Sequence, residues 1–232
     1  IRNGYQGLSV TIPHKMSAIE YLSYIDETAQ LVQAVNSVLI SDGKLHGFNT
    51  DCYGFSLPLK DHAERLAGGM ALVLGSGGAA RAAIYSLISD YQVARVIATG
   101  RSEEKLHRLK QIFNKLKSVP EIETEMFAPE NISGLSKREF DIVVNCTPLG
   151  GSNHSDSSPL PPQFQMRRDV IYYDVNYNDD NSPVKAARKA GAVAIDGSMM
   201  LVGQAVKSFE LWTGEIVPVE PIYHKVFGVK PA

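Results

Sequence analysis

Two residues of this chain, Lys15 and Asp51, have the types and settings that proton transfer needs. Lys15 closes the run Ser9-Val-Thr-Ile-Pro-His-Lys15, at a helix start just after Pro13. Asp51 lies in Gly47-Phe-Asn-Thr-Asp-Cys-Tyr-Gly54, at a helix start that follows a strand. A lysine ammonium beside a carboxylate can hand a proton to a carbonyl oxygen as hydride reaches its carbon, and retrieve it in the reverse direction. Spacing alone leaves a plainer reading open: each is a charge at a helix end, and Asp51 is an N-cap.

A second constellation could hold the hydride carrier. Gly75-Ser-Gly-Gly-Ala-Ala80 follows the apolar run Met70–Leu74 and opens into Ala79–Ile88, which reads as a helix. Strand, glycine-rich turn and helix form the setting in which a G-x-G-x-x-A match points to a dinucleotide. Gly75 permits the tight turn, Gly77 keeps bulk away from a pyrophosphate, and Ala80 lets helix and strand approach. The helix start offers free N–H groups and a positive dipole end. An ordinary strand-to-helix turn is the plainer alternative. The next strand, Ala94–Thr99, ends in Gly100-Arg101-Ser102, with Lys105 one turn further on. An NAD site usually places an acid at this point to accept from the ribose 2′-hydroxyl. A guanidinium, a hydroxyl and an ammonium suit a 2′-phosphate instead, so the cofactor expected is NADP.

These groups must be positioned by an alternating chain. Gly7–Ile12 reads as a strand ended by Pro13, and His14–Leu22 as a helix with Met16, Ile19 and Leu22 on one face. Ala34–Ile40 and Lys44–Phe48 flank Asp42-Gly43, a two-residue hairpin turn. Asp51 opens a helix to about Arg65, and Gly68-Gly69 marks a hinge. Strands are then expected at 70–74, 94–99, 124–127, 141–145, 170–174 and 192–195, wound with helices into a parallel sheet. The stretch 152–162 is an irregular surface loop, and a last long helix runs from Met199 to Trp212 before Gly214. The basic run Lys105–Lys117 carries Leu106, Leu109, Phe113 and Leu116 on one stripe, so its cations read as the wet face of a packed helix.

Bulk properties exclude other classes. The 232 residues are 21% charged and 44% hydrophobic, with net charge −2 and pI near 6.3, unlike a dedicated nucleic-acid binder. Cys52 and Cys146 are the only cysteines, so neither a disulfide framework nor zinc spacing is present. No metal ligand set, membrane span or signal peptide is visible, and a cytoplasmic setting is expected.

The motifs Ser-Val-Thr-Ile-Pro-His-Lys (9–15), Ala-Val-Asn (34–36), Asn-Thr-Asp (49–51), Gly-Ser-Gly-Gly-Ala-Ala-Arg (75–81), Asn-Cys-Thr-Pro-Leu-Gly (145–150) and Met-Leu-Val-Gly-Gln (200–204) occur in the order seen in the shikimate dehydrogenase family. The chain resembles that family through Phe209–Gly214. The resemblance implies reversible reduction of 3-dehydroshikimate to shikimate with NADPH, in aromatic amino acid biosynthesis. A quinate-using branch, often with NAD, and a non-catalytic ligand-binding relative are the alternatives. It implies that Lys15 and Asp51 are the catalytic pair. Thr11, Asn36 and Gln204 would bind substrate hydroxyls, and Tyr177 would lie near substrate and nicotinamide. Gly75, Ser76, Gly77, Gly78 and Ala79 would carry the pyrophosphate. Arg101 and Ser102, with Lys105, would hold the 2′-phosphate, although Gly100 stands where the family has Asn. Thr147, Pro148 and Leu149 would lie beside the nucleotide, and Gly197 and Met200 near the nicotinamide. Partners would be small molecules only, with neither nucleic acid nor membrane, and the protein a monomer or homodimer.

The fold expected is α/β: a doubly wound, Rossmann-like NADP domain over residues 66–197 and a smaller α/β substrate domain over 1–65, completed by C-terminal helices over 198–232. The chain begins Ile1-Arg-Asn-Gly-Tyr5 without Met, while family members begin with roughly 60 further residues, in keeping with a larger two-domain enzyme. The resemblance implies that this further stretch carries a pair of serines that hold the substrate carboxylate. The substrate domain is therefore expected to be incomplete, with an open edge near Leu8, Val10 and Ile12. NADP binding with weak or absent turnover is the corresponding expectation.

Overall fold

The computed structural model describes residues 4–115, 122–128, 131, 134–135, 137–162, 164–178 and 180–228. Expectations for residues 1–3, for Leu116 and Lys117, and for the C-terminal end of the 198–232 segment beyond Gly228 lie outside them.

A mixed sheet comes first. Its strands are β1 (Gly7–Ser9), β2 (Tyr24–Ile25), β3 (Ser37–Ser41) and β4 (Lys44–Phe48), in the order β1-β3-β4-β2. β3 and β4 form the expected hairpin, with Ser41 paired to Lys44 and Asp42 and Gly43 both at positive φ. That is the backbone a two-residue turn needs to match strand twist, and Asp-Gly tolerates it. β1 is shorter than expected and lies at the edge, where Leu8 and Ile12 are exposed while Val10 packs inward. The expected helix over His14–Leu22 is only a 3-10 turn, Ser17–Tyr21, with no fully buried residue. α1 (Glu27–Val32) and β2 carry weaker signals and were not anticipated. α1 is too short for helical periodicity to show, and it rests on Asp26, whose carboxylate accepts from the Thr28 and Ala29 N–H groups.

The single helix expected from Asp51 to about Arg65 is instead α2 (Asp51–Ser56), a 3-10 stretch (Leu57–His62) and α3 (Ala63–Leu66). Pro58 lacks the N–H that a continuous α-helical ladder requires, so the geometry tightens there. Six parallel strands follow: β5 (Met70–Leu74), β6 (Arg95–Gly100), β7 (Ile122–Met126), β8 (Ile142–Asn145), β9 (Ile171–Asp174) and β10 (Val193–Ile195). Their order, β10-β9-β8-β5-β6-β7, is doubly wound and reverses between β5 and β8. Both faces are covered. Ala71 and Val73 join one buried cluster while Leu72 and Leu74 join another, the alternation of a strand buried on both sides. The covering helices are α4 (Gly78–Ser89), α5 (Glu103–Phe113) and α6 (Ser182–Lys189). α5 buries Leu106, Leu109, Ile112 and Phe113 and turns Lys105 and Arg108 to solvent, as its pattern implied.

The chain ends in α7 (Ser198–Thr213), stopped by Gly214 in the left-handed conformation, and α8 (Val219–Phe227). α7 crosses α2 at two glycines. A Cβ on Gly54 would lie 2.5 Å from the Met200 carbonyl oxygen, and one on Gly203 would lie 3.2 Å from the Gly54 Cα. This close crossing carries Gln204 and Ser208 against the entrance of α2. Among the described residues, no helix is long and apolar enough to cross a membrane, and no cluster of His, Cys, Asp and Glu could hold a metal ion.

Candidate active site

Lys15 sits in the bend after β1, held by its own backbone: its carbonyl accepts from the Val35 N–H at 2.8 Å. Asp51 begins α2 but does not cap it. Asn49 does that work, its Oδ1 accepting from the Cys52 N–H at 3.2 Å. The Asp51 carboxylate points elsewhere. Its Oδ2 receives Lys15 Nζ at 2.6 Å, and its Oδ1 receives Asn36 Nδ2 at 2.8 Å. Asp51 is buried, while the Lys15 side chain retains 17% exposure. An ion pair with one shielded and one accessible partner keeps the ammonium in reach of a ligand while its counter-charge stays fixed.

Asn36 is the hub of the surrounding network. Its Oδ1 accepts from the Thr50 N–H at 2.7 Å, and its Nδ2 also lies 3.4 Å from Gln204 Oε1. Thr50 Oγ1 meets Ser208 Oγ at 3.0 Å, and Ser208 Oγ donates to the Gln204 carbonyl at 2.8 Å. The fold thus gathers Lys15, Asp51, Asn36 and Gln204 from four elements far apart in sequence. Thr11 is exposed beside them, one residue after Val10, whose N–H donates to the Asn36 carbonyl at 2.8 Å. Thr50 and Ser208 escaped sequence reasoning. Only Thr50 carried a signal, through the Asn-Thr-Asp motif, and Ser208 is one of many helical serines.

The glycine-rich turn lies next to this cluster. A methyl group on Gly78 would touch the Lys15 side-chain stem at 3.5 Å, so the proton pair borders the start of α4. Gly75 has φ +123, and a Cβ there would come within 3.0 Å of the Cys146 carbonyl oxygen across the β5–β8 switch point. Backbone and neighbour both require glycine. Gly77 is the N-cap of α4, faces open space, and supplies no side-chain cap; the first turn carries no acid. The opening N–H groups, those of Gly78 and Ala79 among them, are left for an external acceptor, and the helix dipole favours an anion there. These residues fit a dinucleotide pyrophosphate.

At the end of β6, Arg101 and Lys105 are exposed. Ser102 caps α5 by accepting from the Lys105 N–H at 3.3 Å, which leaves its hydroxyl proton to donate. At the other side of the switch point, Asn145 organises the Thr147–Leu149 loop. Its Oδ1 accepts from Thr147 Oγ1 at 2.7 Å and its Nδ2 donates to the Leu149 carbonyl at 2.7 Å. Asn176 donates to the Thr147 carbonyl at 3.0 Å, and its own carbonyl accepts from the Gly197 N–H at 2.8 Å. Both amides also donate to buried Asp174, whose carboxyl burial pushes upward in pKa and these donors pull back down. Met200 is buried in the α2–α7 crossing. Tyr177 is exposed and, with Pro148, Asn153 and His154, lines a cleft of about 300 Å³ that does not include Lys15 or Asp51.

Comparison with known proteins decides the family. The model of the shikimate dehydrogenase substrate binding domain matches residues 1–38, and that of the shikimate 5′-dehydrogenase C-terminal domain matches 197–227. A shikimate dehydrogenase (NADP(+)) of Prosthecochloris aestuarii is 39% identical over 229 residues, covering 96% of this chain and 77% of its own. The chain belongs to the shikimate dehydrogenase family. Its fold is that of solved family members. A shikimate dehydrogenase crystallised with NADP+ superposes with TM-score 0.84 at 31% identity, over 97% of this chain and 77% of that one. A quinate dehydrogenase from Corynebacterium glutamicum, in complex with NAD, also gives 0.84, at 26% identity over 97% and 79%.

Proposed function

We propose that the protein is an NADP-dependent shikimate dehydrogenase that interconverts 3-dehydroshikimate and shikimate, with Lys15 and Asp51 as its proton-transfer pair. The observation that carries this is the 2.6 Å Lys15–Asp51 contact at the border of the Gly75–Gly78 turn. NADPH, when bound, supplies the hydride. Lys15 Nζ gives its proton to the carbonyl oxygen as negative charge develops there, and takes one back from the hydroxyl in the oxidation. Asp51 holds the ammonium in place and accepts the Asn36 amide on its other oxygen, so the pair is oriented before substrate arrives. Asn36, Gln204 and Thr11 would bind the substrate hydroxyls, and Tyr177 would lie at the substrate and nicotinamide side. The backbone N–H groups of Gly75 to Ala79 would hold the pyrophosphate, and Arg101, Ser102 and Lys105 the 2′-phosphate. Thr147, Pro148 and Leu149 would lie beside the nucleotide, and Gly197 and Met200 near the nicotinamide. The substrate region would comprise residues 1–65 and 198–232, and the NADP region 66–197.

The similarity to the quinate dehydrogenase supports a second reading, quinate oxidation with NAD. A non-catalytic sensor is disfavoured because such a protein has no use for a bonded, oriented proton pair. The proposal includes a cytoplasmic monomer or homodimer without nucleic-acid or membrane partners, in keeping with its net charge of −2. Steady-state assays with shikimate and quinate, each with NADP and NAD, test it. Turnover favouring shikimate and NADP is expected. Preference for quinate with NAD would establish the second reading, and binding of substrate without turnover would establish the sensor.

A further inference from the structure

Gly100 is glycine for a reason outside its own backbone. It ends β6 and is buried, yet it is absent from the residues at positive φ. Its carbonyl accepts from the Phe127 N–H at 2.7 Å, as in an ordinary strand. A Cβ built there, however, would lie 2.8 Å from Ser76 Oγ, 3.1 Å from Ser76 Cβ and 3.2 Å from Leu106 Cδ2. The register of the parallel strands explains the encounter. Leu74 pairs with Thr99, which brings Ser76, just past β5, alongside Gly100, the last residue of β6. Ser76 occupies the volume that any larger residue at 100 would need.

The Ser76 hydroxyl makes no hydrogen bond with a described residue. It is half-buried within the glycine-rich turn and fills the space beside Gly100, the residue before Arg101. In a doubly wound sheet, the end of the second strand is where the adenosine ribose is read. A free donor at this strand end, which exposed Arg101 directly follows, suits an anionic oxygen.

We infer that Ser76 determines cofactor specificity: its hydroxyl donates to the 2′-phosphate of NADP, in the room that Gly100 leaves for it. This rests on the proposed NADP site and adds to it a matched pair of positions. Ser76 acts as a donor, and Gly100 acts only by yielding space, so a change at 100 is felt through Ser76.

Calorimetric titration of the intact protein with NADP, NAD and adenosine 2′,5′-bisphosphate tests the inference without reference to turnover. Ser76→Ala should lose about tenfold in affinity for NADP and for the bisphosphate, the scale of one charge-assisted hydrogen bond, and stay within about twofold for NAD. Gly100→Ala should cost a similar factor for NADP when Ser76 is present, because the new methyl displaces the hydroxyl. In the Ser76→Ala background, the same substitution should cost much less. An unchanged NADP-to-NAD ratio in Ser76→Ala overturns the inference, as does an equal Gly100→Ala cost in both backgrounds. Wild-type protein with no preference for NADP would instead sink the cofactor reading beneath it. Melting curves of each variant separate a lost contact from a lost fold.

Discussion

The proton-pair side and the nucleotide side of the site are built on opposite terms. Around Asp51, polar side chains satisfy one another: Lys15, Asn36, Thr50, Ser208 and Gln204 form a continuous set of bonds. Around the glycine-rich turn and the end of β6, donors are left open. Gly77 caps nothing, the Ser76 hydroxyl has no partner among the described residues, and Arg101 faces solvent. The contrast follows from what each side must do. A proton donor works only if it is aimed within hydrogen-bond distance beforehand, so its neighbours fix it. A dinucleotide brings its own charge, so the protein keeps N–H groups and cations in reserve for it.

The largest predicted effect breaks the pre-bonded side alone. Lys15→Ala should lower turnover by about 10²–10⁴-fold, the usual contribution of a positioned acid, and leave NADP affinity within about twofold. Turnover assays beside calorimetry check it. Retained turnover would reduce Lys15 to an ordinary loop cation. Breaking the open side should do the reverse. Arg101→Ala should weaken NADP by about one to two decades, the equivalent of ~1.5–3 kcal/mol, with NAD unaffected. Titration with both cofactors reads this, and equal losses for the two would refute a 2′-phosphate contact.

How much of this was legible beforehand differs between the two sides. The nucleotide side was largely readable because its signals are local. Gly75 to Ala80 sit within one turn between strand and helix, and Arg101 follows its strand directly. The parallel strands lie within two residues of their expected positions, most being short apolar runs; β7, Ile122-Glu-Thr-Glu-Met126, is the exception and begins two residues earlier than expected. The proton-transfer side was readable only as separated motifs, since nothing in the spacing of Lys15, Asn36, Asp51 and Gln204 reveals that they meet. The α2–α7 glycine crossing that brings Gln204 in is a tertiary event. Gly54 and Gly203 look like ordinary helical glycines in sequence. The same limit hid Asp174, whose role depends on amides from two neighbouring strand ends. The helix expected over 51–65 failed at Pro58, a local breaker that the apolar pattern around it outweighed.

That crossing supplies a smaller prediction. Gly54→Ala forces a methyl group against the Met200 carbonyl, and overpacking of this kind costs about 1–3 kcal/mol. Thermal unfolding should show a melting temperature lower by roughly 2–4 °C for each kcal/mol in a chain of this size. Turnover should fall as well, because Gln204 shifts with α7. An unshifted melting curve would mean that the helices adjust without cost. The smallest effect sharpens the comparison chemically. Burial, followed by the charge of Asp51, holds the Cys52 thiol far above its usual pKa, so it stays protonated and inert in the folded protein. A thiol reagent at pH 8 should modify Cys52 only after denaturant is added, as peptide mapping would show; prompt labelling of native protein would contradict the closed packing of this side.

The central claim is that Lys15 and Asp51 act as one unit beside the cofactor site, and a double-mutant cycle in turnover tests it most directly. Lys15→Ala, Asp51→Asn and the double variant are compared with wild type, with NADP affinity measured for each. The account predicts comparable losses in the two single variants, a double variant no slower than the slower single, and unchanged NADP binding throughout. Losses that multiply in the double variant would show two independent contributions and contradict the account.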